Sequence, residues 1–224
     1  MSGLKYRFLP LFFIALVLVG CGSKNTSIQA FKYHENAKKR PIVAMLPVLN
    51  RTDSYLPWDL SQEFTSEIQK RLMHRSVVYL NSVDVPTHLR MKLERADVVN
   101  LARDDFHELA AQNDFVVLLE LLEHSETPLT NAYIDAETPA ESMDRVLNMK
   151  MRVKVIDLRA STLKVVLQQV KNIEHLIPRD YSHVNYEKVV WGSDAYPATA
   201  YGRAHAKLEK ELSKQIENYI SIAH

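Results

Sequence analysis

The run Phe115-Val116-Val117-Leu118-Leu119-Glu120-Leu121-Leu122 carries one polar residue, Glu120, among apolar neighbours. It is too short for a buried helix, which needs about ten residues or more. It shows no polar–apolar alternation, so neither of its faces is patterned for water. A strand of that kind lies inside a sheet with other elements covering both sides. The rest of the chain must then supply helices to cover it. Only five glycines occur in 224 residues, which argues against a many-stranded sandwich with tight turns and against a Gly-rich phosphate loop.

The neighbouring segments fit that demand. Pro41 to Leu49 is a second apolar run, with Pro47 interrupting its ladder because proline has no amide to donate. Leu60, Phe64, Ile68 and Leu72 recur at i+4 and predict a helix from Pro57 to His74. Asp59 and Glu63 stand near its start and Lys70, Arg71 and Arg75 near its end, as the helix dipole favours. Val77 to Leu80 reads as a short strand. Pro86 then breaks the chain before a helical region from Thr87 to Gln112, split near Asp97–Asn100.

From Leu147 the residues alternate: Leu147, Met149, Met151, Val153 and Val155 point one way, and Asn148, Lys150, Arg152 and Lys154 the other. That predicts a strand with one buried and one wet face. Leu163 to Ile177 returns as its hairpin partner. Tyr201, Ala204, Leu208, Leu212, Ile216 and Tyr219 form the apolar stripe of a terminal helix. The fold class is α/β: a single mixed sheet in β-α-β-α-β-β-β-α order with helices packed on it, one domain over 41–224.

The first forty residues are of another kind. Lys5 and Arg7 precede an apolar stretch from Leu9 to Val19, broken only by Pro10. It is too short to span a bilayer, which takes about 20 residues, and has the proportions of a signal peptide. Leu18-Val19-Gly20-Cys21 resembles the bacterial lipoprotein box. The resemblance implies cleavage after Gly20, a diacylglyceryl thioether on Cys21, and acylation (palmitate-like) of the new amino terminus. Several acyl chains hold a protein on a membrane far better than one. Cys21 is the only cysteine, so it serves no internal disulfide. Gly22 follows it where inner-membrane lipoproteins carry Asp, which implies the outer membrane, with the domain in the periplasm. Residues 1–20 are then the signal peptide, and 21–40 the lipidated cysteine and a polar tether whose reach is on the order of 25 Å. A partner must lie close to the same membrane.

The 28 basic residues nearly cancel the 27 acidic ones, leaving a net charge of +1 and no pull towards nucleic acid. Two local stretches carry a family likeness. Ile42-Val43-Ala44-Met45-Leu46-Pro47-Val48-Leu49-Asn50-Arg51-Thr52 is an apolar strand, a proline and Asn-x-Thr ahead of an amphipathic helix. Tyr201-Gly202-Arg203-Ala204 opens the final helix. Together with the element order they resemble a group of bacterial envelope domains. It includes the curli-secretion lipoprotein CsgG, the amino-terminal domain of TolB and the outer-membrane activators of peptidoglycan synthases. Small chlamydial lipoproteins of unassigned function are similar too. The resemblance implies a domain that docks onto an envelope protein partner during assembly, secretion or wall synthesis. The long Pro-rich tether of the synthase activators has no counterpart here.

Three surfaces are candidates for docking. Asn50, Arg51, Thr52 and Asp53 form a loop at the carboxyl end of the first strand, where open α/β sheets often bind ligands. Glu123 to Asp144 is a long connection carrying Asp135, Glu137 and Glu141, and connections of about twenty residues are usually functional or mobile. Lys150, Arg152 and Lys154 make a basic strand face.

Catalytic and metal signatures are not found. The acids of the long connection lack the spacing of a calcium loop. His107-Glu108 begins like a zinc-protease helix, but Ala111 stands where the second histidine belongs. His124, His175 and His183 show no ligand-like spacing, and no Gly-x-Ser-x-Gly elbow occurs. The expectation is a lipid-anchored, non-catalytic docking protein without a cofactor. The alternatives are a ligand-binding or enzymatic domain with a pocket at the strand ends, and a component of an oligomeric secretion channel.

Overall fold

A computed structural model describes residues 39–95, 101–129, 144–181 and 183–224. The chain divides at Lys39/Arg40, and the unit Arg40–His224 holds the sheet and its helices. In order the elements are β1 (Ile42–Met45), β2 (Leu49–Asn50), α1 (Leu60–Arg75), β3 (Tyr79–Asn81) and α2 (Thr87–Arg95). A 3-10 turn, Arg103–Phe106, leads into the short α3 (His107–Ala110). Then come β4 (Phe115–Pro128), β5 (Arg145–Asp157), β6 (Lys164–Ile177) and α4 (Ala200–Ala223).

The sheet runs β3-β1-β4-β5-β6, with β2 paired to β4 off that path. β1 is parallel to β3 and β4, whereas β4, β5 and β6 form an antiparallel meander. The sheet is therefore mixed, and the apolar run of β4 lies inside it. Pro47 acts as its chemistry dictates. β1 stops at Met45, the exposed proline is stepped over, and the Val48 amide donates to the Thr65 hydroxyl at 2.8 Å instead of to a strand.

Both faces of β4 are covered. Phe115, Val117, Leu119 and Leu121 join α1 and α4 in one core, with Phe64, Leu72, Leu208 and Ile216 among its members. Val116 and Leu118 join Ala44, Leu89, Phe106 and Leu109 in a second core under α2 and α3. Phe64, Phe106 and Phe115 are fully buried, each worth roughly 1.5–3 kcal/mol in transfer free energy. All four i+4 residues of α1 are buried. The helix begins at Leu60 rather than Pro57, because the Asp59 carboxylate accepts the Ser61 amide at 2.8 Å and fixes the start there. Among the described residues no helix is long and apolar enough to cross a membrane.

The structure also departs from expectation in α4, β4 and β5. Tyr219 is 37 % exposed, and Ile220, fully buried, ends the apolar stripe of α4. β4 continues to Pro128, so Glu123 and Glu126 belong to the strand and ion-pair with Lys150 and Arg145, each at 3.0 Å. The connection therefore starts after Pro128, and the Leu129 amide donates to the Asp144 carbonyl at 2.8 Å to close the hairpin base. The polar side of β5 is not a wet face. Lys154 is 3 % exposed, and Arg152 ion-pairs with a buried acid.

A bulge in β4 changes which way the strand presents its side chains. Leu121 opposes Met151 and Glu123 opposes Lys150, leaving Leu122 unpaired. The extra residue reverses which side chains face which core. Before it, odd-numbered positions face α1 and α4; after it, His124 stands opposite Met149 on that same side.

Candidate functional site

The bulge delivers His124 to the most polar part of the interior. Its Nε2 lies 2.9 Å from Nε2 of His205, which comes from the second turn of α4. His205 Nδ1 donates to Glu63 Oε1 at 2.8 Å. The Tyr196 hydroxyl donates to the same oxygen at 2.5 Å, and Trp58 Nε1 donates to Glu63 Oε2 at 2.7 Å. At the other end, Ser54 Oγ lies 3.2 Å from His124 Nδ1. Glu63 and His205 are each 1 % exposed and His124 8 %. Four segments meet here: the loop after β2, the start of α1, β4, and the entry to α4.

Burial pushes the Glu63 carboxyl up, but hydrogen bonds and charge from His205, with Tyr196 and Trp58, outweigh it and hold it below the usual range. Burial, reinforced by His205, lowers His124 to about 3, so that ring is neutral. A neutral His124 fits two proton placements. Either its Nε2–H donates to His205 and its Nδ1 accepts the Ser54 hydroxyl, or its Nδ1–H donates to Ser54 and Nε2 accepts from His205. In both, every ring nitrogen has a protein partner, so the pair offers no lone pair to a metal. Tyr186, Tyr201 and His205 stack beside it, with centroids 4.6 Å apart for the tyrosines and 5.8 Å for Tyr201 and His205. Burial and Glu126 together push the Tyr201 phenol well above its usual range.

The entry to α4 is shaped for this contact. The Thr199 hydroxyl accepts the Gly202 amide at 3.0 Å and donates to the Tyr196 carbonyl at 2.8 Å. A Cβ at position 202 would stand 2.1 Å from that carbonyl oxygen, so only glycine lets α4 approach the Tyr196 turn. Further along, the polar series His205, Glu209, Ser213 and Glu217 repeats every fourth residue and is buried throughout. Arg71 and Arg75 of α1 meet it, at 3.1 Å from Glu209 and 2.8 Å from Glu217. A cleft of about 400 Å³ opens beside this seam, lined by Glu63, Arg71, Trp191, Tyr196 and Glu209 among others. It lies between α1, the first turns of α4 and the segment before α4, with Ala206 on its wall, rather than at the strand ends.

The residues singled out from sequence fall elsewhere. Asn50 Oδ1 accepts the Thr52 amide at 3.0 Å and its hydroxyl at 2.8 Å, a local turn. Asp53 is exposed. Arg51 donates to the Leu93 and Glu94 carbonyls at the end of α2. It also lies 3.4 Å from Glu120, while Arg152 Nη1 lies 2.7 Å from the other Glu120 oxygen. The structure thus joins the loop and the basic strand on one acid, the lone polar residue of the apolar run, which is 1 % exposed. Lys154 lies beside them: burial, then Arg152, pushes its ammonium below the ordinary range, and Glu120 works the other way. Cys21, Asp135, Glu137 and Glu141 lie outside the described residues.

The buried network escaped sequence reasoning because its members are far apart in the chain. One signal was present. His205, Glu209, Ser213 and Glu217 flank the apolar stripe of α4 at the same period, which marks a polar seam against a second helix.

The architecture is a mixed-sheet α/β domain with helices on both faces, organised around a buried acid–histidine network. The chain belongs to a family of unknown function, DUF7499, whose model matches residues 29–224. No curated protein matches it. Among solved structures it is similar to the hypothetical protein CT253 from Chlamydia trachomatis, at 24% identity over 81% of this chain and 98% of that one, with a TM-score of 0.65. That likeness is one of fold. Looser neighbours include lipoprotein GNA1162 from Neisseria meningitidis, at 12% identity over 80% and 99% with a TM-score of 0.38. The LpoB C-terminal domain from Salmonella enterica matches at 11% over 65% and 90%, with a TM-score of 0.32. At those scores neither bears on function.

Proposed function

We propose that this protein is a lipid-anchored envelope lipoprotein whose α/β domain docks onto an envelope protein partner and performs no catalysis. The observation that carries the anchoring is Leu18-Val19-Gly20-Cys21 at the end of a short apolar leader, with the family match beginning at residue 29, close behind it. Docking is favoured over chemistry by the way the polar interior is arranged. Glu63, His124, His205 and Tyr196 are buried and, with the half-buried Trp58, satisfy one another. Such a network fixes how α4 sits on α1 and β4. In this reading the docking surface is the connection 130–143 with Asp135, Glu137 and Glu141, and the Asn50–Asp53 loop, level with Leu121 of β4, is a second patch. The basic residues of β5 contribute less, because their charges meet Glu120 and Glu123. The outer membrane as the destination, and the likeness to the CsgG, TolB and synthase-activator domains, belong to the same proposal.

The test is membrane partition of the full-length protein expressed in a bacterium that processes lipoproteins. The wild type should sediment with membranes and carry incorporated labelled palmitate. C21A should do neither and should accumulate uncleaved. Unchanged partition and labelling of C21A would remove the anchor.

A second reading, a small-ligand site, draws on the cleft beside Glu63 and Glu209. Saturable binding abolished by filling it through Ala206→Trp would favour that reading over docking.

A further inference from the structure

A separate cluster on the far side of the sheet has no place in the docking reading. His88 stands in the first turn of α2, and His107 and Glu108 open α3. His88 Nε2 lies 3.3 Å from the Asp105 carbonyl oxygen, and His107 Nδ1 lies 3.0 Å from the Asp104 carbonyl oxygen. A carbonyl only accepts, so each of those nitrogens carries the proton. Each ring is thereby oriented, and in its neutral form the lone pair sits on the other nitrogen, His88 Nδ1 or His107 Nε2. Both face one carboxylate oxygen: Glu108 Oε1 is 3.8 Å from the first and 3.9 Å from the second. The donor atoms of all three residues lie within 4.8 Å of one another.

With both rings neutral, two imidazole lone pairs and a carboxylate oxygen converge. A cation is what such a group lacks. We propose that His88, His107 and Glu108 bind a divalent transition metal, zinc by ligand type, through His88 Nδ1, His107 Nε2 and a Glu108 oxygen. Donors about 2.1 Å from a tetrahedral zinc stand about 3.4 Å apart. The two histidine–carboxylate pairs need close by about half an ångström to reach that spacing, and the two imidazole nitrogens, within 4.8 Å of each other, by up to about 1.4 Å, which rotation of three exposed side chains can supply. The side chains are 44%, 68% and 55% exposed, which leaves the fourth position to water. The backbone-carbonyl contacts on the outer nitrogens are the support that metal-bound histidines usually have. The Asp105 turn is held in its own right, since its carboxylate accepts Lys92 at 2.7 Å and the Ala102 amide at 2.7 Å. The second histidine that the His107-Glu108 stretch lacks in its own helix comes from α2, as His88, while Glu108, whose counterpart in a zinc-protease helix is a base and not a ligand, here joins the donor set.

The test is titration of zinc alone into the full chain, purified in detergent without a polyhistidine tag, by calorimetry. Cobalt should give the intense visible absorption of a four-coordinate site. One zinc per chain is expected, with affinity lowered at least tenfold in H88A and in H107A and unchanged in H183A. E108Q, a near-isosteric change at an exposed position, should weaken binding by a similar factor and guards against misfolding of the histidine variants. If zinc binds all of these variants as it binds the wild type, or binds none of them and not the wild type, the three side chains form an ion-paired cluster and no metal site.

Discussion

Glu209 lies on α4 with 3 % exposure, and burial lifts its carboxyl from an ordinary 4.5 to about 7 although Arg71 stands 3.1 Å away. A group raised in the folded state favours folding below its ordinary value, and that contribution is lost as pH rises through the folded value. Here the window is about 4.5 to 7, and at roughly 1.4 kcal/mol per unit the loss is about 3 kcal/mol. His124 has the opposite sign. Lowered from 6.5 to about 3, it favours folding above 6.5, and its contribution disappears as pH falls towards 3. Between about 4.5 and 6.5 the two slopes offset. In denaturant unfolding the stability of E209Q relative to the wild type should therefore rise between about pH 4.5 and 7, reaching an advantage of about 3 kcal/mol by about pH 8. Parallel curves would mean that Glu209 is ionised throughout.

At the scale of elements, Gly202 and the β4 bulge decide how α4 meets the sheet. Gly202→Ala places a methyl against the Tyr196 carbonyl. Overpacking of backbone should cost about 2 kcal/mol or more, lowering the melting temperature by about 5 °C. An unchanged melting temperature would show that the Tyr196 turn can retreat. The same two elements mark the limit of what could be read from sequence. The apolar octet of β4, the i+4 ladder of α1 and the hairpin of β5 and β6 are local patterns, and they were legible because period and burial coincide. The bulge is not a pattern: nothing in Leu121-Leu122-Glu123 tells which residue leaves the ladder. Without it, strict alternation puts His124 on the same face as Glu120, away from His205. Lys154 failed differently. Alternation assigned it to water, but Arg51, Glu120 and Arg152 gather over that face, and only the fold brings the loop after β2 to the strand.

For the whole molecule, the proposed anchor, tether and docking connection define one prediction. Deleting Asn131–Glu141 removes the acids of the connection and leaves the Leu129–Asp144 contact that closes the hairpin base. The variant should keep its melting temperature and its membrane partition and lose in-cell cross-links to an envelope partner. Cross-links that persist at wild-type yield would move docking to another surface. Under the proposed amino-terminal anchor, the entry into β1 has a mechanical consequence. β1 is the middle strand of a parallel trio, and the Pro41 carbonyl accepts the Tyr79 amide while the Ile42 amide and carbonyl both bond Asp114. Tension arriving through residue 40 runs along the strand axis and loads these bonds together in shear, so they must fail collectively. A leash attached to a hairpin edge would peel its bonds apart singly; the proposed one would load a strand bonded on both sides.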